Sequence, residues 1–236
     1  MTTAPTMKAP KVKMPSIAGL NKPTAATPVY LSAPEHILGL DMSLEHTGWC
    51  LTNLKTGETT QGVFEPNPNK SKKVVQILGM KRLVWLREHV LSMARYGVRP
   101  EDANCAPPRI ACLVLIEGYA FGAKGSSGIS LGELGGVTRL ALWDEKIPYI
   151  EVPPTQVKKF ITGKGGAQKD IVLKEVFKRY GADFDDNNIA DAFALTQLGR
   201  AITNTHEKDL VVAQKEVVAD VVKTYFKDHP VLAAAA

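Results

Sequence analysis

The chain alternates between short apolar runs, which read as strands, and stretches in which apolar residues recur every three or four positions, which read as helices. Residues 36–42 (HILGLDM) form an apolar run that closes on an acid, as a buried strand would. Residues 47–54 and 59–64 read as second and third strands, with Thr56-Gly57 giving the turn between them. From residue 70 to about residue 96 the period is helical: Met80, Leu83, Val84, Val90 and Leu91 recur among lysines and arginines. Residues 109–117 (RIACLVLIE) are almost continuously apolar, which fits a central strand covered on both faces. A glycine-rich stretch at 122–128 opens a helix to about residue 145, and 147–152 is a short strand stopped by Pro153-Pro154. Helices are predicted near 154–161 and 167–180, over 186–201, and over 209–226, where Val211, Val218, Val221, Val222 and Tyr225 fall along one side. A strand hairpin followed by strand–helix–strand units predicts an α/β fold with a mixed sheet. In it, the strand after the first crossover can lie beside the first strand.

Length and composition set the frame. With 236 residues, 44% hydrophobic and 22% charged, the chain suits one large domain or one domain with appendages. No apolar stretch approaches the roughly 18 residues that span a bilayer. The N-terminus lacks the apolar core of a secretory signal, so an intracellular protein is expected. Cys50, Cys105 and Cys112 form no CxxC pair and read as thiols in a reducing compartment. The five histidines have no metal-binding spacing; His46, near the first acid discussed below, reads as a surface or packing residue.

The net charge of +5 hints at a polyanionic partner, and its distribution says more. Residues 1–34 carry four lysines and no acid, with no hydrophobic period, and read as a flexible basic tail. Such a tail could add non-specific DNA affinity or do nothing; the lack of arginine speaks against a transit peptide. Residues 158–179 hold seven basic residues (Lys158, Lys159, Lys164, Lys169, Lys174, Lys178, Arg179) against Asp170 and Glu175, a clustering that a phosphate-contacting surface requires.

Three acids carry the chemistry. Asp41 closes the first strand, Glu117 closes the fourth, and Asp191 lies in the helix read from 186. Acids at the ends of apolar runs are costly to bury without a cation, a donor or solvent. Adjacent parallel strands would bring Asp41 and Glu117 to one carboxyl edge, where open α/β sheets hold their ligands. Asn188 shares a helix face with Asp191 at i, i+3. Converging hard oxygen donors suit Mg²⁺ or Mn²⁺. Two such ions roughly 3.5–4 Å apart can position an attacking water and stabilise the leaving 3′ oxygen of a phosphodiester. Taken singly, each acid has a plainer reading as a turn, cap or solvated residue.

The surrounding text changes that balance. Asp41-Met-Ser-Leu-Glu-His-Thr-Gly-Trp resembles the first motif of RuvC-type Holliday-junction resolvases of the ribonuclease H-like superfamily. Leu115-Ile-Glu-Gly-Tyr resembles their second, and Gly132-Glu-Leu-Gly-Gly the helix after it. Val157-Lys-Lys and the run Thr162 to Lys169 are similar to their lysine-bearing stretch, and Ile189-Ala-Asp-Ala-Phe-Ala-Leu to their closing motif. The motifs stand in family order between about residues 37 and 199.

The resemblance implies a five-stranded ribonuclease H-like sheet flanked by helices, occupying 35–203, with 204–236 as a helical extension. It also implies a homodimer in the cytoplasm of a bacterium or phage-infected host that cuts branched DNA with Mg²⁺ or Mn²⁺, two ions, and no nucleotide cofactor. Asp41, Glu117 and Asp191 would be catalytic metal ligands, with Asn188 at the metal. Lys158 and Lys169 would act on the scissile backbone, and Lys159 and Lys164 would join them in binding DNA. Tyr119 or Phe121 would be the aromatic that probes the junction.

One departure stands out: the family's usual Asp or His three residues before the last acid is Asn188 here. Asp185 or Asp186 could substitute, though their helical phase relative to Asp191 is poor. The last helix could cover the core or extend a dimer surface. Rival readings are a nuclease for flaps or forks, a junction-binding protein with weakened catalysis, and an actin-like ATPase or sugar kinase. The last requires a phosphate loop that Gly163-Lys-Gly-Gly does not match.

Overall fold

The computed structural model describes residues 34–67, 77–102, 108–118 and 126–228. The predicted tail through residue 33, the first turns of the helix expected from residue 70, Cys105, Tyr119, Phe121 and the glycine-rich opening at 122–125 lie outside the described residues.

Five strands form one sheet in the order β3-β2-β1-β4-β5. β1 (His36–Asp41) runs antiparallel to β2 (Thr47–Asn53), and β2 antiparallel to β3 (Thr59–Phe64). On its other side β1 runs parallel to β4 (Cys112–Glu117), which runs parallel to β5 (Tyr149–Val152). The first and fourth strands in sequence are therefore neighbours, as the order of elements allowed. Two predicted strands start late. Residues 109–111 precede β4, with the Ala111 carbonyl accepting from the N–H groups of Glu35 and His36. Ile147 donates back to Leu142 as part of the preceding helix end, and Pro148 has no N–H to give a ladder.

Side chains alternate across the sheet, and the two faces have separate cores. Leu38, Leu40, Val114 and Ile116 pack beneath α1 (Gly79–Tyr96) and α2 (Ser126–Asp144). Ile37, Leu113, Leu115, Ile150 and Val152 pack against α3 (Pro154–Thr162), α4 (Lys169–Tyr180), α5 (Asn187–Ile202) and α6 (Val212–Asp228). The period of two then assigns Asp41 and Glu117 to the α5 face, two residues beyond Gly39 and Leu115 respectively.

α5 is the element that lies closest to the sheet. It is buried continuously from Ala190 to Ile202, and its small residues let it press onto β1. A Cβ added at Gly39 would sit 2.1 Å from the Ala192 carbonyl oxygen, and one at Gly199 would sit 2.7 Å from Ile37 and Leu115. Contacts at residues 39 and 37 thus follow one another along α5, so the helix runs antiparallel to β1 with its N-terminus over the strand's carboxyl end. α6 settles the alternative left open for the last helix. Val217, Val218, Val221, Val222 and Tyr225 are buried in the same core as Phe160 and Ile150, so α6 covers the core.

Candidate metal centre

The turn between β1 and β2 is locked by its own side chains. Thr47, fully buried, donates from Oγ1 to the Ser43 carbonyl at 2.5 Å and accepts from the Ser43 N–H at 3.0 Å. Ser43 Oγ in turn accepts from the N–H groups of Glu45 and His46 at 3.4 Å. This is what the Ser and Thr of the first motif do here. They hold the chain reversal so that Gly48 pairs with Asp41 across the hairpin. Gly48 is obligatory at that place, because a Cβ would meet the Asn188 carbonyl oxygen at 2.1 Å. The first turn of α5 therefore rests directly on the strand residue beside Asp41.

From these constraints the three acids converge. Leu40 pairs with Ile116 in the parallel ladder, so Asp41 and Glu117 follow side by side at the carboxyl edge. Asp191, in the second turn of α5, comes down from above. Each of the three can offer a carboxylate oxygen within 4.8 Å of the other two. Asp191 is buried and the others are partly buried.

Burial and proximity set their protonation. Burial is the main force raising all three carboxyls above their ordinary values, and mutual repulsion adds to it for Glu117 and Asp191. Asp191 is pushed up to about 6 by burial and then by the charge of Asp41. The two neighbours act on each other in opposite senses: beside its burial, Glu117 is raised further by the Asp41 charge, while the contact with Glu117 partly offsets the effect of burial on Asp41. Lys169 lowers Asp41 and Asp191, while Lys158 lowers Glu117 and Asp191. Three acids this close without a cation must retain a proton among them; a divalent cation between them would release it. Oxygen-only donors at this spacing fit a hard cation such as Mg²⁺ or Mn²⁺.

The remaining predicted residues divide. Lys158 on α3 and Lys169 at the start of α4 lie within electrostatic reach of the acids. Lys159, one residue on, turns to another flank and pairs with Glu216 of α6 at 2.8 Å, because adjacent helix positions point about 100° apart. Lys164 is exposed in the loop between α3 and α4, its N–H donating to Thr162 Oγ1 at 3.1 Å. Asn188 sits one turn before Asp191, with its backbone against Gly48. His46 pairs with Glu65 at 3.4 Å on the other side of the turn.

Asp186, read from the sequence as the first residue of the helix, stands just before it. It is the N-cap of α5, extended at φ −111° and ψ 124°, and its side chain accepts from the Asn188 N–H at 2.7 Å. Its charge adds to the forces raising Asp41. Helical phase does not govern a cap residue. Asp before Asn-Asn was the signal, since Asp is a preferred N-cap.

The sequence profile described as "Crossover junction endodeoxyribonuclease RuvC" matches residues 111–204. A relative of that name from Prochlorococcus marinus is 35% identical over 167 residues, covering 69% of this chain and 96% of its own. The chain belongs to the RuvC family. A second RuvC, from a Synechococcus species, is 28% identical over 170 residues, covering 68% of this chain and 96% of its own. The solved RuvC of Thermus thermophilus shares the fold, with a TM-score of 0.51 at 19% identity over 72% of this chain and 97% of that one. The mixed five-stranded sheet flanked by helices matches the fold of that structure.

Proposed function

We propose that this chain is a divalent-metal-dependent endonuclease that resolves four-way DNA junctions by paired nicking. The observation that carries the reading is the meeting of Asp41, Glu117 and Asp191 within 4.8 Å at one rim of the sheet. Membership of a family whose members are named crossover junction endodeoxyribonucleases supports the substrate class. Asp41, Glu117 and Asp191 would hold Mg²⁺ or Mn²⁺, two ions in all, with the Asn188 amide able to contribute an uncharged oxygen. When bound, the cations supply an activated water and stabilise charge on the leaving oxygen.

The protein's own groups do the rest. Lys158 and Lys169 flank the acids from two helices and offer positive charge to a phosphodiester brought to the rim. With exposed Lys164 they form the inner part of a phosphate-contacting surface. Burial of the acids excludes water that would screen these interactions.

Paired cutting requires two copies, and α2 offers the face for them. Ile129, Leu140 and Trp143 are exposed large apolar residues at 70%, 60% and 58%. With Gly132 and Gly136, each with open space where a Cβ would be, they recur at spacings of three and four along one side of the helix. A homodimer through this face, working on DNA in the cytoplasm, completes the proposal.

Nicking of a mobile four-way junction, a flap, a fork and linear duplex, with and without Mg²⁺, tests it. The junction is expected to be cut in symmetrically placed pairs only with metal, and Asp41→Asn and Glu117→Gln are expected to bind it without cutting. Wild-type cutting by either variant overturns the site, and preference for flaps or forks overturns the substrate.

A further inference from the structure

The turn between β1 and β2 has Asp41 at one end and Gly48 at the other, and α1 grips it from the face opposite α5. Met42 lies in the same core as Leu83 and Leu86 of α1, and Leu44 packs against that core. Glu45, at the tip of the turn, pairs with Arg82 in the first turn of α1. Arg82 is the more deeply placed partner. Its side chain is only 16% exposed, and among the described residues its buried Nε finds no acceptor. A guanidinium held this way depends on its one carboxylate, because losing it would leave a largely buried charge uncompensated. The other ion pair of the turn, His46 with Glu65 at 3.4 Å, joins two half-exposed side chains, and surface pairs of that kind fix little.

From Glu45 a chain of contacts leads to the acids. Its N–H donates to Ser43 Oγ at 3.4 Å, and Ser43 is bonded in both directions to Thr47. Thr47 precedes Gly48, which pairs with Asp41 and lies against the Asn188 carbonyl of α5. We propose that Arg82 is a positioning residue for cleavage: through Glu45 it sets the turn that places Asp41 beside Glu117 and beneath Asp191. The proposal rests on the metal-centre reading above. It makes α1, which supplies none of the three acids, part of the support on which their spacing depends.

The sign of the effect separates position from charge. Removing a positive charge near the acids would by electrostatics alone tighten a divalent cation, whereas loosening the turn would weaken it. Mn²⁺ binding to the full chain without DNA, with free Mn²⁺ counted by electron paramagnetic resonance, reads the difference. Arg82→Gln and Glu45→Gln are each expected to weaken Mn²⁺ binding about fivefold, and to raise the Mg²⁺ needed for half-maximal nicking by a similar factor. The double variant is expected to weaken binding no further, because both changes break one contact. It leaves no buried charge unpaired, and so carries the test if Arg82→Gln does not fold. Arg95→Gln breaks a comparably placed pair, with Glu145, at the other end of α1. It is expected to lower the melting temperature and to leave Mn²⁺ binding and the Mg²⁺ requirement unchanged.

Unchanged or tighter Mn²⁺ binding by Arg82→Gln or by the double variant overturns the proposal, as do additive losses in the double variant or equal weakening by Arg95→Gln. Asp41→Asn distinguishes the two levels. If it loses Mn²⁺ while Arg82→Gln keeps it, only the positioning role is wrong; if both bind as wild type, the metal centre itself is misplaced.

Discussion

Asp191 shows what it costs to prepare a cation site. In the folded protein its carboxyl releases its proton near pH 6, against 3.8 for the ordinary group. Between those values the folded state binds more protons than the unfolded chain, so stability of the metal-free protein falls as pH rises through the window. At roughly 1.4 kcal/mol per unit, the loss from this residue is about 3 kcal/mol by pH 7. Glu117, raised by burial and by Asp41, extends the decline to higher pH. Without metal, Asp191→Asn and Glu117→Gln are therefore expected to melt above the wild type at pH 7.5 and to converge with it near pH 4. Mg²⁺ should raise the melting temperature of the wild type more than that of either variant. Thermal melts across pH with and without Mg²⁺ check this; variants that melt below the wild type at pH 7.5 would mean that the acids are not strained in its absence.

Two close approaches hold the elements in position. α5 can reach the rim because Gly39, Gly48 and Gly199 leave room for it or for the side chains beneath it. Gly39→Ala would drive a methyl group into the Ala192 backbone, which cannot yield without moving the helix. The expected loss is about 3 kcal/mol or more, read as a lower urea midpoint, together with weakened metal binding as Asp191 is lifted from Asp41. α6 acts from the far side of the same core. Val217 is fully buried, and Val217→Ala is expected to cost ~2 kcal/mol while leaving nicking at saturating Mg²⁺ unchanged. Equal stability of this variant and the wild type would show that α6 does not pack on α3 and α5 in solution.

At the scale of the whole molecule, the acids occupy the carboxyl edge of the sheet and the exposed apolar stripe lies on α2, which covers the opposite face. Substitutions on the stripe should therefore change assembly without disturbing the metal centre. The double variant Leu140→Asp/Trp143→Asp is expected to sediment as a monomer, to bind Mn²⁺ as the wild type does, and to nick junctions singly rather than in pairs. A variant that remains dimeric would assign the interface to another face. Much of this organisation was legible in the chain itself. Apolar runs marked the five strands and helical spacing the main helices, with the start of β5 displaced where Pro148 withholds an N–H; the short helical turn at Pro100–Asp102 was not foreseen. Two strand-end acids and one helix acid, each within its motif, pointed to Asp41, Glu117 and Asp191, because local rhythm and local motif are properties of neighbouring residues. Other features depend on residues far apart in sequence. That α5 runs down β1, that Gly48 is pressed on Asn188, that Lys159 leaves Lys158 for Glu216, and that α6 closes the core are outcomes of which surfaces bury best against one another. The capping role of Asp186 belongs with them: composition and spacing offer it as one acid among several in its loop, and only the extended backbone before α5 shows that it closes the helix N-terminus.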